Sequence, residues 1–268
     1  MIIFKSINTL NNKVNFKAKV GFVPTMGALH KGHISLIKQA KNKCEKTLVS
    51  IFVNPSQFNK KSDYERYPKN IRKDLKILKK LKVHFVLIPS NKEIYEKKKQ
   101  MKINIKNKDK ILCAKFRPGN FEGVLGVISQ FLKKINAEYM FLGEKDYQQI
   151  YLIKKYLMKN FKTKIFSCKT IREKNFAYSS RNELLSKKDI KKGIKISKIL
   201  KKFYLNIKKD FTMIKKLKSI FKEITQLGAK IEYLEIRNKN NLSKNINKKN
   251  YKIFIAYFLK NVRLIDNF

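Results

Sequence analysis

The feature that most constrains the fold is an alternation that runs through the first 170 residues. Short apolar runs rich in β-branched and aromatic residues are each followed by a longer stretch of helical period. The run VGFV (20–23) precedes GHISLIKQAKNK, and TLVSIFV (47–53) precedes NIRKDLKILKKLK (70–82), where Ile71, Leu75, Leu78 and Leu81 fall at helical spacing. VHFVLIP (83–89), EYMFLG (138–143) and TKIFSCKTI (163–171) read as further strands. FEGVLGVISQFLKKI (121–135) and YQQIYLIKKYLMKN (147–160) read as further helices. Strands alternating with helices imply βαβ units, hence an α/β domain over residues 1–170 with a parallel sheet flanked by helices. Residues 183–225 are lysine-rich with helical Ile, Leu and Phe spacing, and YLEIRN (233–238), KIFIAYF (252–258) and VRLIDNF (262–268) look like strands. Residues 171–268 are therefore expected to form a smaller C-terminal α+β domain, acting as a lid. The polar stretches 92–110 and 243–250 are expected on the surface.

Composition removes several function classes. No apolar run reaches 18 residues, so no membrane span is expected. The opening MIIFKSINTLNNK lacks the long apolar centre and small-residue cleavage site of a secretory signal, which points to the cytoplasm. Cys44, Cys113 and Cys168 have no CxxC spacing and read as free thiols in a reducing compartment. The 64 Lys and Arg against 19 Asp and Glu give a formal net charge of +45. Such an excess can mark a nucleic-acid partner. Here lysine is spread over nearly the whole chain with abundant Asn, Ile, Phe and Tyr, and no RNP1-type signature or zinc finger accompanies it. No specific nucleic-acid partner is expected.

The unusual residues sit where predicted strands end. PTMG, VNPSQF, IPS, GEKD and IRE each begin at such a point, and an open α/β sheet binds ligands at the carboxyl ends of its strands. The stretch PTMGALHKGH (24–33) stands out. Gly27 falls in the turn after a strand, and Gly32 falls near the start of a helix, whose free N–H groups and positive dipole end suit a phosphate. His30 and His33, three apart, share one side of that turn and can both donate to a phosphate whose charge grows in a transition state. His84, inside an apolar strand, reads as a core or strand-end residue.

An HxGH box after the first strand of such a domain resembles the HxGH nucleotidyltransferase superfamily. The longer PTMGALHKGHISL is more specific and resembles the pantothenate synthetase (pantoate–beta-alanine ligase) family. Agreement recurs in order at SIFVNPSQF (50–58), RYP (66–68), FRPGNFEGV (116–124), FLGEKDYQQ (141–149), IRE…SSRN (171–182) and RLIDN (263–267), nearly the whole chain. The resemblance implies a Rossmann-like fold and an ATP-dependent ligase. In that reaction pantoate carboxylate attacks the α-phosphate, pyrophosphate leaves, and the amine of beta-alanine displaces AMP from pantoyl adenylate to give pantothenate. It also implies a cytoplasmic homodimer.

Carried onto matching positions, the resemblance makes Met26, Gly27, Ala28, Leu29, His30, Lys31, Gly32 and His33 the ATP-binding segment, with His33 the proton donor and His30 a second phosphate contact. Gln57 and Gln149 would bind pantoate, with Asn54 shaping the substrate pocket. Gly143 and Asp146 would meet the ribose, Glu144 would belong to the same ATP-binding turn, and Lys145 would neutralise the triphosphate. Ile171 would contact adenine through its backbone. Ser179, Ser180 and Arg181 would form a second phosphate loop, with Tyr178 beside it in the ATP site. Magnesium would accompany ATP, mostly through phosphates and water, with Asp74 near the metal. The chain departs from the family pattern at Asn120, where RPGHF has histidine, at Glu122, at LCA (112–114) for LEG, and at NFAY, one residue shorter than its counterpart and ending on Tyr178 in place of Met or Leu.

Overall fold

Six parallel strands form the sheet of the first unit: β1 Ile2–Phe4, β2 Val20–Thr25, β3 Lys46–Ile51, β4 Phe85–Leu87, β5 Tyr139–Gly143 and β6 Lys164–Cys168. The coordinates, a computed structural model, describe residues 1–59, 61–95 and 103–268. Strand order is β1-β4-β3-β2-β5-β6. From β2 the chain winds outward through β3 and β4, then returns to lay β5 on the other side of β2, where Gly21 faces Tyr139 and Phe22 faces Met140. The order therefore reverses between β2 and β5. That switch point opens a crevice at the carboxyl edge of the sheet.

Helices Lys31–Lys43, Ile71–Lys80, Asn120–Lys134 and Tyr147–Tyr156 fall within two residues of the expected starts. Val23, Leu36, Ile37, Ala40, Val49, Leu78, Val86 and Phe141 are buried together in the core of this unit. β1 gives no sequence signal because it is only three residues long and exposes Ile2 and Ile3 at the edge. The three cysteines are free and buried, and burial pushes the Cys168 thiol up to about 12, so it remains neutral.

The chain divides into two compact units, residues 1–144 with 149–169, and residues 145–148 with 170–268. The second unit carries an antiparallel sheet of β9 Lys230–Asn238, β10 Tyr251–Leu259 and β11 Val262–Asn267, and a hairpin of β7 Arg172–Glu173 and β8 Phe176–Ala177. Lys174 and Asn175, both with positive φ, make the two-residue turn that NFAY shortens. The expected helical region 183–225 is two helices, Lys187–Lys209 and Leu217–Gln226, separated by a 3₁₀ segment Phe211–Lys216 that Asp210 caps by accepting from Thr212 N–H at 2.9 Å. Ile196, Leu200, Phe203, Ile224, Ile253 and Tyr257 form the core of this unit.

The stretch 92–110 is not wholly surface. Residues 96–102 lie outside the described residues, but Ile105 and Asp109 are buried. Asp109 accepts from Tyr156 Oη and Lys155 Nζ, both at 2.6 Å, which draws the segment inward despite its polar sequence. Among the described residues no helix is long and apolar enough to cross a membrane.

His84 sits at a strand end, where its Nδ1 accepts from Thr47 N–H at 3.2 Å and its carbonyl accepts from Ile2 N–H at 2.8 Å. Desolvation, with Lys46 and Lys41 nearby, lowers its pKa. The unfolded chain then binds the proton more tightly, so this contribution to stability is complete above the unfolded value of about 6.5 and is lost as pH falls below it. Melting temperature should fall between pH 7.5 and 5.5 more steeply in the native protein than in His84→Asn, whose side-chain oxygen still accepts from Thr47. Equal slopes would rule out this role.

Candidate active site

The turn after β2 is built from backbone bonds that the sequence motif encodes. Thr25 Oγ1 donates to Ser50 carbonyl at 2.7 Å and accepts from Gly27 N–H at 3.1 Å. Gly27 has φ +79°, and a Cβ there would lie 3.0 Å from Asp74 Oδ2 and 3.2 Å from Ile51, so glycine answers both backbone and space. Asp74 Oδ2 and Oδ1 accept from Ala28 N–H at 2.9 Å and Leu29 N–H at 2.8 Å. Those bonds hold Ala28 at φ +49°, a strained value for a residue with a Cβ.

The helix Lys31–Lys43 starts directly after that turn. His30 is its N-cap, with Nδ1 accepting from Gly32 N–H at 3.1 Å, and His33 Nδ1 accepts from His30 N–H at 3.4 Å. This is a capping box made of two imidazoles. An imidazole whose Nδ1 accepts carries its proton on Nε2, so each ring offers an Nε2–H donor. The ring centroids lie 4.1 Å apart. No acidic residue occupies the helix's own first turn, while the Asp74 carboxylate binds the turn just before it.

A second turn leaves β3. Asn54, fully buried, caps the 3₁₀ turn Pro55–Gln57. Its Oδ1 accepts from Ser56 N–H at 3.2 Å, from Ser56 Oγ at 2.8 Å and from Tyr95 Oη, while its Nδ2 donates to Gly123 carbonyl at 3.1 Å. Burial raises the Tyr95 phenol, so it remains a donor. Gly123 is pressed against this turn, and a Cβ on it would lie 2.2 Å from Ser56 carbonyl oxygen. Gln57 carbonyl accepts from Arg117 Nη2 at 3.1 Å and from Asn120 Nδ2. Gln149 lies half-buried in the helix Tyr147–Tyr156.

Gly143 ends β5 and the 3₁₀ turn Glu144–Asp146 follows. In the second unit, Lys145 Nζ pairs with Asp146 Oδ1 at 3.0 Å and its carbonyl accepts from Asn267 Nδ2 at 2.9 Å. Ile171 carbonyl accepts from Tyr178 N–H at 3.1 Å, and Tyr178 Oη meets Glu173. Ser179 caps the segment Ser180–Leu184 by accepting from Arg181 N–H at 3.3 Å. Arg172 binds Asp266 in bidentate fashion at 2.6 and 2.7 Å, joining two of the sequence motifs, IRE and RLIDN.

Within the first unit, residues 26–33, Asn54, Gln57 and Gly143 all leave the same strand edge. Asp74, expected near the metal, lies against the turn backbone. The carboxylate is 1% exposed, and both its oxygens bind the turn backbone. Among the described residues no group of three or more His, Cys, Asp or Glu could hold a metal ion. Sequence reasoning gave no role to Thr25, Tyr95 or Arg117. Thr25 and Arg117 lie inside recognised motifs, whereas no local pattern marks Tyr95. A cavity of about 230 Å³ opens beside the turn, lined by Met26, Phe52, Asn70, Ile71 and Ile88, with Asp74 in its wall.

A parallel sheet whose switch point carries a glycine turn and a helix start with two imidazole donors defines an anion-binding α/β domain of the nucleotide-binding kind. The sequence model of the family described as pantoate–beta-alanine ligase matches residues 2–268. Pantothenate synthetase of Francisella tularensis subsp. novicida is 41% identical over 268 residues, covering 98% of this chain and 94% of that one. The crystal structure of pantoate–beta-alanine ligase from Francisella tularensis, complexed with beta-gamma ATP and beta-alanine, matches with TM-score 0.86 and 40% identity over 100% of this chain and 97% of that one. Pantothenate synthetase from Thermus thermophilus matches with TM-score 0.90 and 27% identity over 100% of this chain and 99% of that one. The chain belongs to the pantoate–beta-alanine ligase family. It is an enzyme that joins pantoate to beta-alanine.

Proposed function

We propose that the reaction runs on ATP through pantoyl adenylate, with the turn at 26–33 holding the nucleotide phosphates. A pantoate carboxylate oxygen bonds to the α-phosphorus as the α–β bridging bond breaks and pyrophosphate leaves. The amine of beta-alanine then bonds to the acyl carbon, the acyl–phosphate bond breaks, AMP leaves, and the amine proton passes to solvent. His30 and His33 donate Nε2–H to phosphate oxygens as charge builds on the α-phosphate, and His33 serves as proton donor. Met26, Gly27, Ala28, Leu29, Lys31 and Gly32 complete that cradle. Gln57 and Gln149 present amides that both donate to and accept from the hydroxy-acid, with Asn54 shaping their pocket.

Gly143 and Asp146 serve the ribose, Ile171 the adenine, and Lys145, Ser179, Ser180 and Arg181 the phosphates, with Glu144 and Tyr178 part of the same ATP site. Arg181 suits departing pyrophosphate because its planar guanidinium presents several donors at once. Magnesium travels with ATP, held by phosphate oxygens and water, while Asp74 serves the turn, each of its oxygens accepting a backbone N–H. The enzyme acts as a cytoplasmic homodimer.

The observation that carries this reading is the pair of imidazoles fixed by their Nδ1 atoms at a helix start. Exchange of labelled pyrophosphate into ATP tests it. Exchange should require pantoate and proceed without beta-alanine, and net AMP release should require both acids. Exchange that depends on a mononucleotide instead of pantoate would overturn the proposal.

A further inference from the structure

We infer that Asn120 is a positioning residue for the acid-binding glutamine, acting through the hydrogen bond its side-chain amide donates to the Gln57 carbonyl. The inference rests on the proposed role of Gln57 in holding pantoate. The geometry is reciprocal. Asn120 Nδ2 and Arg117 Nη2 both donate to Gln57 carbonyl, while Asn59 Nδ2 donates to Pro118 carbonyl in the opposite direction. The loop 117–120 and the turn 55–59 are thereby stitched at two backbone carbonyls. Asn120 itself is only 7% exposed, at the first turn of the helix Asn120–Lys134, and its N–H donates to Arg117 carbonyl at 3.1 Å. A carbonyl only accepts, so the amide nitrogen is the end of Asn120 that faces it.

The stitch bears directly on the Gln57 backbone, whose N–H also donates to Asn54 carbonyl at 3.3 Å. With the carbonyl fixed, the peptide plane after Gln57 is fixed and the direction of its Cα–Cβ bond follows. Loss of one donor leaves Arg117, which also reaches Asp63 at 3.9 Å and is drawn toward it. The Gln57 side chain would then sample several directions, and the cost would fall on capture of the acid substrate. Where the family pattern has histidine, an imidazole N–H could reach the same carbonyl, but it would do so with a group that titrates. Asparagine supplies the donor with no charge at any pH.

Steady-state kinetics of Asn120→Ala, Asn120→His and Asn120→Asp, beside Gln57→Ala, test the inference. Asn120→Ala should raise KM for pantoate about tenfold, the scale of one lost buried hydrogen bond. Its kcat and its KM for ATP should stay within about threefold of the native values, since the phosphate cradle is untouched. Asn120→His should restore KM, and Asn120→Asp, of the same size but turning an acceptor toward a carbonyl, should raise it further than alanine does. If Asn120→Ala does not fold, the comparison of His with Asp carries the test. A KM for pantoate unchanged in Asn120→Ala, or equal in the His and Asp variants, overturns the inference while Gln57→Ala still weakens pantoate. If Gln57→Ala leaves pantoate KM unchanged, the reading of the glutamine fails instead, and the inference falls with it.

Discussion

His33→Ala is expected to lower kcat by roughly 10²–10³, the usual cost of removing one preorganised donor from a developing oxyanion. The side chain has two roles, and the substitution removes both. Its Nδ1 closes the capping box on His30 N–H, and its Nε2–H is the donor proposed for the phosphate. Capping is worth about 1 kcal/mol, so the melting temperature of the alanine variant should also fall. His33→Gln separates the two effects. Glutamine is an ordinary partner at the third position of a capping box, so stability should return. An amide cannot pass a proton as imidazole does, so kcat should stay at least about tenfold below native. Equal kcat in the native and alanine proteins would remove His33 from the chemistry.

The double role of that histidine shows what the sequence could and could not disclose. HxGH after an apolar run places two imidazoles at a helix start, and the alternation of runs gives the parallel sheet that sets the helix there. Those features are local, with periods of two and 3.6 residues, and the structure has them within a few residues. What the pattern does not carry is which atom each polar side chain meets over long separations. Asp74 stands in a helix pattern where a carboxylate reads as solvated or metal-bound, yet its partners are backbone N–H groups 46 and 45 positions earlier in the chain. IRE and RLIDN each stood out as motifs, but their joining through Arg172 and Asp266 spans 94 positions. Tyr95 carries no motif at all and closes on Asn54 across 41 positions. The segment 103–110 fails for the opposite reason. Its composition is that of a loop, and one buried carboxylate with two partners outweighs it.

Asp74→Ala is the second large effect, and it decides between two roles for one carboxylate. As an anchor, Asp74 satisfies the N–H groups of Ala28 and Leu29, both buried, and holds Ala28 in the left-handed region. Alanine would remove the acceptor of both donors at about 1–3 kcal/mol each, so a loss of about 2–6 kcal/mol is expected in denaturant unfolding. The loss should be complete in protein free of ATP and magnesium, because the anchor needs neither. Asp74→Asn keeps the shape and one acceptor but turns an N–H₂ group toward the second backbone donor, and should fall between native and alanine. In turnover, the loosened turn should raise KM for ATP in both variants, and no added magnesium should recover it. A metal ligand would behave in the reverse way. Stability without magnesium would be nearly unchanged, and the magnesium concentration giving half-maximal rate would rise steeply. Geometry favours the first outcome, since the carboxylate is 1% exposed and each of its oxygens already accepts from a peptide N–H. Observing the second would mean that the turn opens to admit the ion, and the two imidazoles would then be set by the nucleotide's metal as much as by the helix they cap.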